Sequence, residues 1–315
     1  MTRIIFMGTP TFALPTLEKL AENYEIISVV TQPDRPAGRK RKLTPPPVKK
    51  AALARGLPLW QPDTLRAPEA VAHLRALAPD LIIVVAFGQI LRPDVLQIPP
   101  HGCLNLHGSL LPQYRGPAPA LAAILNGEAE TGVTLMKMDQ GLDTGPIIAQ
   151  AACPITAEET TATLRKKLCH LGAKLLIETL PAWLAGEITP QPQDDSQASY
   201  CRLINKADGQ LDWRQPAVKL ERQVRACIPW PTAFSFWRGK RLKVLRAALS
   251  PESRGEGEPG RVIALGGGAG VVTGKGVLQL LELQLSGKRV MPIKEFLQGQ
   301  RGFVGSVLEY SSRSQ

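Results

Sequence analysis

The 315-residue sequence has no apolar run approaching the roughly 20 residues that a membrane-spanning helix needs. Its first residues also lack the long apolar core and the cleavage site of a secretory signal. Five scattered cysteines form no CxxC pair, and none of the four histidines lies at metal-ligand spacing. We therefore expect a cytoplasmic protein with reduced thiols, no disulfide framework, no metal site and no membrane partner.

Two glycine-containing stretches lack residues that a nucleotide site needs. Gly8-Thr9-Pro10 follows an apolar run but does not complete the dinucleotide pattern G-x-G-x-x-G, which argues against NAD. Residues 269–276 resemble a phosphate-binding loop. However, Ala269 replaces its first glycine, and Gly276 stands where Ser or Thr would hold magnesium. We interpret the two stretches as a strand-to-helix turn and a hairpin turn.

Positive charge is concentrated in the last third of the chain. Residues 1–205 contain 20 Lys and Arg against 18 Asp and Glu, whereas residues 206–315 contain 18 against 9. A field of that sign attracts polyanions such as nucleic acid or an anionic membrane surface. The alternative is a basic surface that serves only solubility.

The front half alternates apolar runs of strand length with helical patterns. Strands are predicted at Ile4–Met7, Ile26–Val30, Leu81–Val85 and Cys103–His107, with antiparallel additions near Val133–Met138 and Ile147–Ala151. Wholly apolar strands belong to a parallel sheet that is covered on both faces. The pattern predicts a doubly wound α/β domain, closed by a long helix over Thr160–Leu184.

The composition becomes polar after residue 189 and strand-rich after residue 206. We predict a catalytic domain over residues 1–189, a linker over 190–206 and a basic β-barrel domain over 207–315. The last domain would contain a helix at Pro216–Cys227, followed by five short strands separated by glycines and turn residues.

The densest chemical signal is the strand Cys103–His107 with the loop after it. Asn105 and His107 are two residues apart, so both project from one face of the strand. Their N–H groups could hold an oxygen on which negative charge develops. Asp143 lies on a glycine-flanked turn and could orient the imidazole of His107. The alternative is a structural Asn and His with a turn-forming Asp.

These residues occur in longer motifs. Residues 105–112, Tyr114–Pro119 and Met138–Gly145 resemble the two signatures of the 10-formyltetrahydrofolate-dependent formyltransferases. Three further segments narrow the resemblance to those formyltransferases that act on methionyl-tRNA. They are residues 6–12, 33–39 and 228–231. The resemblance covers nearly the whole chain. Ile228 replaces the family's usual Asn, and Gln140 its usual Glu.

The resemblance implies a Rossmann-like formyltransferase domain and an OB-like C-terminal barrel. It also implies that 10-formyltetrahydrofolate donates a formyl group to the α-amino group of initiator methionyl-tRNA, without a metal. A monomer is expected separately, because the tRNA would occupy a large part of the protein surface. The catalytic residues that the resemblance implies are Asn105, His107 and Asp143. Along the folate, the resemblance implies Ser109, Leu110, Leu111 and Pro112. From their position at the end of a predicted strand, we also expect Phe87, Gly88, Ile90 and Leu91 against the flat ring of the folate.

A basic, proline-rich segment at residues 34–50 is the expected contact for the tRNA acceptor end. Its prolines predict an irregular exposed loop, and its unbroken basic run consists of Arg39, Lys40, Arg41 and Lys42. The alternative is a solvated basic loop.

Other functions stay open from the residues alone. They are formyl transfer to an amino-sugar nucleotide, formyl transfer to a small purine precursor, and non-catalytic RNA binding on an enzyme scaffold.

Overall fold

The computed structural model describes residues 2–38, 41–251 and 257–310. Its strands are β1 (Arg3–Gly8), β2 (Glu25–Val30), β3 (Arg35–Ala37), β4 (Lys42–Thr44), β5 (Leu59–Trp60), β6 (Leu81–Val85), β7 (Cys103–His107), β8 (Glu130–Lys137), β9 (Ile147–Pro154), β10 (Ala233–Trp237), β11 (Lys240–Leu249), β12 (Val262–Leu265), β13 (Gly268–Val272), β14 (Val277–Leu285) and β15 (Met291–Pro292). Its α-helices are α1 (Leu14–Asn23), α2 (Pro47–Ala54), α3 (Pro68–Ala76), α4 (Pro93–Leu96), α5 (Pro119–Asn126), α6 (Thr161–Leu184), α7 (Ala217–Ala226) and α8 (Ile293–Gly299). Within the described ranges, none of these helices has the length and apolar character needed to span a membrane.

The front part of the chain forms a seven-stranded sheet within the described residues, in the order β5–β2–β1–β6–β7–β8–β9. The pairs from β5 to β7 are parallel, and β7–β8 and β8–β9 are antiparallel. β6 is buried along its whole length, because a parallel strand covered on both faces needs apolar side chains on both. The predicted α/β fold with antiparallel additions is confirmed.

Residues 35–37 and 42–44 pair as two strands of a hairpin, where an irregular loop was predicted. β3 and β4 are antiparallel, with Pro36 opposite Leu43 and Arg35 opposite Thr44. A two-stranded ribbon has two edges, so a proline without an N–H is tolerated in it. The three following prolines lead into α2, which begins at Pro47, where a missing N–H costs no helical hydrogen bond.

The C-terminal strands form a six-stranded antiparallel sheet among the described residues. Its order is β10–β11–β14–β13–β12, and β15 pairs with β14. Its two edges are bridged by residues 305–309. The amide of Val262 in β12 donates to Ser306 O at 2.8 Å, and that of Glu309 donates to Phe236 O in β10 at 2.9 Å. This bridging closes the sheet into the predicted small barrel.

Aromatic rings fill the interior of this barrel. The rings of Trp237, Phe296 and Phe303 have centroids 4.9–6.2 Å apart and belong to its buried core. α7 contributes Leu220 and Val224 to the same core. These contacts give the barrel a hydrophobic centre of its own.

Packing divides the chain into two compact units. One contains residues 1–119, 130–154 and 165–201, and the other contains residues 120–129, 155–164 and 202–315. In the second unit, Arg222 Nη1 donates to Asn126 O at 3.2 Å, and Thr161 Oγ1 donates to Ala226 O at 2.7 Å. Residues 190–201 of the predicted linker belong to the first unit. Because these units describe packing, the domain boundaries at 189 and 207 stay a prediction.

Candidate active site

β7 presents Asn105 and His107 on one face of the first sheet. The strand lies between β6 and β8, and the alternation of its side chains buries Leu104 and Leu106 on the other face. A Cβ at Gly172 of α6 would come within 2.4 Å of Leu106 Cδ2, so this helix packs closely against that opposite face. The strand that carries Asn105 and His107 therefore packs on its opposite face against α6.

The loop between β8 and β9 carries Asp143 to the same face. Lys137 at the end of β8 is paired with Leu104 at the start of β7, so the loop leaves the sheet beside the N-terminal end of β7. It then folds back until Asp143 meets Asn105. The return is tight, because a Cβ at Gly145 would lie 1.9 Å from the Lys137 carbonyl oxygen.

Asn105, His107 and Asp143 converge at one point. Asn105 Nδ2 donates to Asp143 Oδ1 at 3.3 Å. His107 Nδ1 lies 3.6 Å from Asp143 Oδ2, which also accepts the Gly116 amide at 2.8 Å. The side chains of His107 and Asp143 are 7% and 14% exposed, so solvent has little access to this contact.

The other ring nitrogen of His107 is within hydrogen-bonding distance of a backbone carbonyl. Nε2 lies 2.9 Å from the carbonyl oxygen of Tyr114, so an N–H at this nitrogen donates to it. The sequence predicts that His107 and Asn105 hold a substrate oxygen together, whereas here both nitrogens of His107 face protein acceptors. At 3.6 Å, the contact between Nδ1 and the Asp143 carboxylate is longer than a hydrogen bond.

The site is built from strained backbone. Tyr114 and Asp143 have φ angles of 57° and 54°, in the left-handed region that side chains disfavour, and Gly116 has a φ of 112°. A Cβ at Gly116 would lie 2.3 Å from the carbonyl oxygen of Cys201, so glycine is required there on two counts. Strain of this kind persists where surrounding contacts hold it, and it clusters at functional sites.

Residues Ser109–Pro112 form a fixed loop after β7. Thr134 Oγ1 accepts the Leu111 amide at 3.0 Å and donates to Ser109 O at 2.7 Å. Gln150 Nε2 donates to Leu111 O at 2.9 Å. Ser109 Oγ donates to Gln113 O at 2.6 Å, while Leu110 and Pro112 are half-buried. The sequence does not identify Thr134 and Gln150, which pin this loop.

The four residues predicted at the end of β6 divide into two pairs. Phe87 and Leu91 are buried in the sheet core, and the Phe87 carbonyl accepts the Thr9 hydroxyl at 2.8 Å. Gly88 has a φ of 89°, and Ile90 is 68% exposed. Ile90 is therefore the apolar side chain of this set that is open to a ligand.

Cys103 shares the strand face of Asn105 but is a packing residue. It is buried in the core cluster on that face of the sheet, with Sγ 3.9 Å from Val95 O. Burial raises the pKa of its thiol to about 12, so it is not a thiolate at neutral pH. Among the residues that the structure describes, no group of three His, Cys, Asp or Glu side chains could hold a metal ion.

The predicted tRNA-contacting residues are only partly described. Arg39 and Lys40 lie outside the described residues. Arg41, in the turn of the β3–β4 hairpin, and Lys42, at the start of β4, are both exposed. Lys49 is drawn into an ion pair with Asp34, with 2.9 Å between Nζ and Oδ1.

Arg115 and Gln193 are site residues that sequence reasoning missed. Arg115 is 2% exposed, and its Nη2 donates to Gln193 Oε1 at 2.8 Å. Gln193 Nε2 in turn donates to the carbonyl of Asp143 at 2.9 Å. An arginine inside a glycine- and proline-rich motif was the available signal, because a buried guanidinium requires acceptors from elsewhere in the chain.

The fold and the site define an α/β protein with an amide, an imidazole and a carboxylate gathered on one sheet face. The model of the formyl transferase family matches residues 2–180, and that of the formyl transferase C-terminal domain matches residues 203–301.

Methionyl-tRNA formyltransferase of Chloroflexus aggregans is 51% identical over 300 residues, covering 94% of this chain and 97% of its own. The enzyme of that name from Geobacter sulfurreducens is 50% identical over 301 residues, covering 95% and 94%. The chain therefore belongs to the methionyl-tRNA formyltransferase family.

A solved structure shares the fold at much lower identity. The Helicobacter canadensis N-formyltransferase, in complex with folinic acid and dTDP-3-aminofucose, superimposes with a TM-score of 0.67 at 20% identity. The alignment covers 89% of this chain and 99% of that one.

Proposed function

We propose that this protein transfers the formyl group of 10-formyltetrahydrofolate to the α-amino group of initiator methionyl-tRNA. The observation that carries the proposal is the convergence of Asn105, His107 and Asp143 at one point. It is supported by methionyl-tRNA formyltransferases that are about 50% identical to this protein in sequence over nearly the whole chain. A cytoplasmic location and a monomeric state belong to the same proposal.

Asn105 is the residue that would stabilise the developing charge. Formyl transfer makes a bond between the formyl carbon and the acceptor nitrogen and breaks the bond to the donor nitrogen. Negative charge passes through the formyl oxygen. The Asn105 amide nitrogen carries two hydrogens, and Asp143 accepts one, so the other can donate to that oxygen.

His107 would act as the general acid–base group that transfers a proton during the reaction. With both nitrogens protonated, the ring donates toward Tyr114 and faces the Asp143 carboxylate, which neutralises its charge. A substrate atom that replaces the Tyr114 carbonyl at Nε2 can accept a hydrogen bond or the proton itself. The acceptor amine loses a proton as the donor nitrogen gains one, so a shared acid–base group fits this reaction.

Two exposed apolar side chains, each next to site residues in the chain or at the end of a neighbouring strand, would contact the folate. The co-substrate supplies the formyl group and brings a flat, largely apolar ring system. Ile90 at the end of β6 and Leu142 next to Asp143 are 68% and 55% exposed, so apolar surface is available for a ring to cover. Residues Ser109–Pro112, pinned by Thr134 and Gln150, would form a fixed wall.

Basic residues would hold the tRNA. The exposed Arg41 and Lys42 of the β3–β4 hairpin extend the run that begins at Arg39, close in sequence to strands of the catalytic sheet. Residues 206–315 carry twice as many basic as acidic residues. Phosphate contacts of this kind provide affinity that does not depend on nucleotide sequence.

An acceptor panel tests the proposal. Purified protein is given 10-formyltetrahydrofolate with charged initiator methionyl-tRNA, charged elongator methionyl-tRNA, an amino-sugar nucleotide or a purine-precursor amine. Formylation of the initiator alone is the expected result. Transfer to the sugar or the purine precursor instead, or to no acceptor, would exclude the proposed function, whereas equal transfer to both tRNAs would remove the initiator preference.

A further inference from the structure

Residues 193–201, which we call the strap, run alongside the loop that follows β7. Arg115 forms a parallel bridge with Tyr200, its amide donates to Ser199 O at 2.8 Å, and its carbonyl accepts the Cys201 amide at 2.8 Å. The Tyr114 amide donates to Ser199 Oγ at 2.9 Å. The strap thereby fixes residues 114–116, which supply the hydrogen-bond partners of His107 and Asp143.

Gln193 at the start of the strap connects this loop to the loop of Asp143. Its Nε2 donates to the carbonyls of Asp143 at 2.9 Å and Gly145 at 2.8 Å. Its Oε1 accepts Arg115 Nε at 3.1 Å and Nη2 at 2.8 Å. Both amide hydrogens and both oxygen lone pairs are used. The amide therefore has one favourable orientation, since reversing it would face donors with donors and acceptors with acceptors.

Arg115 is the fixed anchor of this arrangement. Burial lowers the pKa of its guanidinium, but hydrogen bonds to Asp195 and Tyr200 outweigh that effect and place the pKa above its ordinary value. The Asp195 side chain is 83% exposed, so solvent screens that ion pair. Gln193, which is half-buried, is the better-shielded acceptor of the buried cation.

We propose that Gln193, anchored by Arg115, is a positioning residue that holds Asp143 in its left-handed conformation and so aims the carboxylate at Asn105 and His107. The strap is then part of the active site rather than a linker. This inference rests on the proposed formyl transfer. Hydrogen bonds fix both the backbone and the side chain of Asp143. Gln193 donates to its backbone carbonyl, and Gly116 and Asn105 donate to its two carboxylate oxygens. A strained residue needs such contacts to persist.

The test is Gln193→Glu, which is nearly isosteric. Its carboxylate keeps the acceptor for Arg115 but faces the carbonyls of Asp143 and Gly145 with an oxygen instead of N–H groups. Gln193→Ala is less informative, because it leaves a buried guanidinium short of acceptors and can unfold the protein. Gln191→Ala is the matched control, since that exposed glutamine uses its side chain only for the Thr189 carbonyl within the described contacts.

We expect Gln193→Glu to lower kcat by roughly 10- to 100-fold, because small misplacements of catalytic groups cost that much. KM for both substrates and the melting temperature should stay near those of the control. The second readout is coupling. If Gln193 acts through Asp143, adding Gln193→Glu to Asp143→Asn should slow the reaction by no more than about twofold beyond Asp143→Asn alone.

Hydrogen exchange supplies a readout that is independent of activity. Movement of the Asp143 loop removes the acceptor of the Gly116 amide, so this amide should exchange faster in Gln193→Glu than in Gln191→Ala. Two results with an active wild type would overturn the positioning role. One is an equal kcat for Gln193→Glu and Gln191→Ala. The other is a loss of kcat in the double variant that equals the product of the losses in Gln193→Glu and Asp143→Asn. An inactive wild type that still shows faster Gly116 exchange in Gln193→Glu would refute the proposed function while retaining the positional coupling.

Discussion

Asp143→Asn is the substitution whose effect follows most directly from the geometry. Asp143 Oδ2 accepts the Gly116 amide at 2.8 Å, and Oδ1 accepts the Asn105 amide at 3.3 Å. Asparagine has one oxygen and one NH₂ group in place of the two oxygens. One of the two donors must therefore face a donor in the variant.

The shorter contact should keep the oxygen, so the Asn105 amide loses its acceptor and turns away. One unsatisfied, partly buried donor costs about 1–3 kcal/mol, which leaves the protein folded. The larger effect is on the reaction, because Asn105 is no longer aimed and His107 no longer faces a carboxylate. Loss of one aimed oxyanion donor lowers kcat by about 10²–10³, and we expect a loss at least that large.

Single-turnover formylation with saturating folate and methionyl-tRNA measures this loss without interference from product release. Asp139→Asn is the control in the same loop, because Asp139 Oδ1 accepts from Gly141 and Thr144, and an asparagine oxygen can do the same. Its rate should stay near that of wild type. A wild-type rate for Asp143→Asn would remove the carboxylate from the mechanism.

Two further predictions concern charge and burial. Affinity for methionyl-tRNA, measured by filter binding, should fall by on the order of tenfold or more as salt rises from about 50 to 200 mM, and a flat profile would contradict phosphate binding by the basic residues. The Cys103 thiol has a folded-state pKa of about 12, above that of an unfolded cysteine, so its stabilising contribution is complete below pH ~9 and is lost as the pH rises towards 12. Between pH ~9 and 12, the unfolding free energy of wild type should therefore fall by about 1.4 kcal/mol per pH unit more than that of Cys103→Ala, as measured by chemical denaturation. An equal fall in the two proteins would show that burial does not raise the pKa of this thiol.

The strands of the first sheet were predictable from local pattern. Leu81–Val85 and Cys103–His107 have the predicted bounds, because uninterrupted apolar residues leave few alternatives to a buried strand. The same regularity placed Asn105 and His107 on one face. The predicted helix over Thr160–Leu184 begins one residue later, at Thr161.

The hairpin and the strap were not predictable from local pattern, since both depend on partners distant in sequence or on register. The prolines of residues 34–47 indicated an irregular loop, but the position of Pro36 opposite Leu43 is compatible with a ribbon. The polar residues around Gln193 have the composition of a solvated linker. These polar side chains instead form hydrogen bonds with Arg115 and with the strained backbone at Asp143. The partners lie up to 80 positions away along the chain.

The most direct measurement of the central claim is the rate of formyl transfer by Asn105→Ala in a single turnover. If this amide stabilises the formyl oxygen, the rate falls by about 10²–10³ while both substrates bind as tightly as they do to wild type. A variant that transfers formyl groups as fast as wild type would show that the amide is not part of the chemistry.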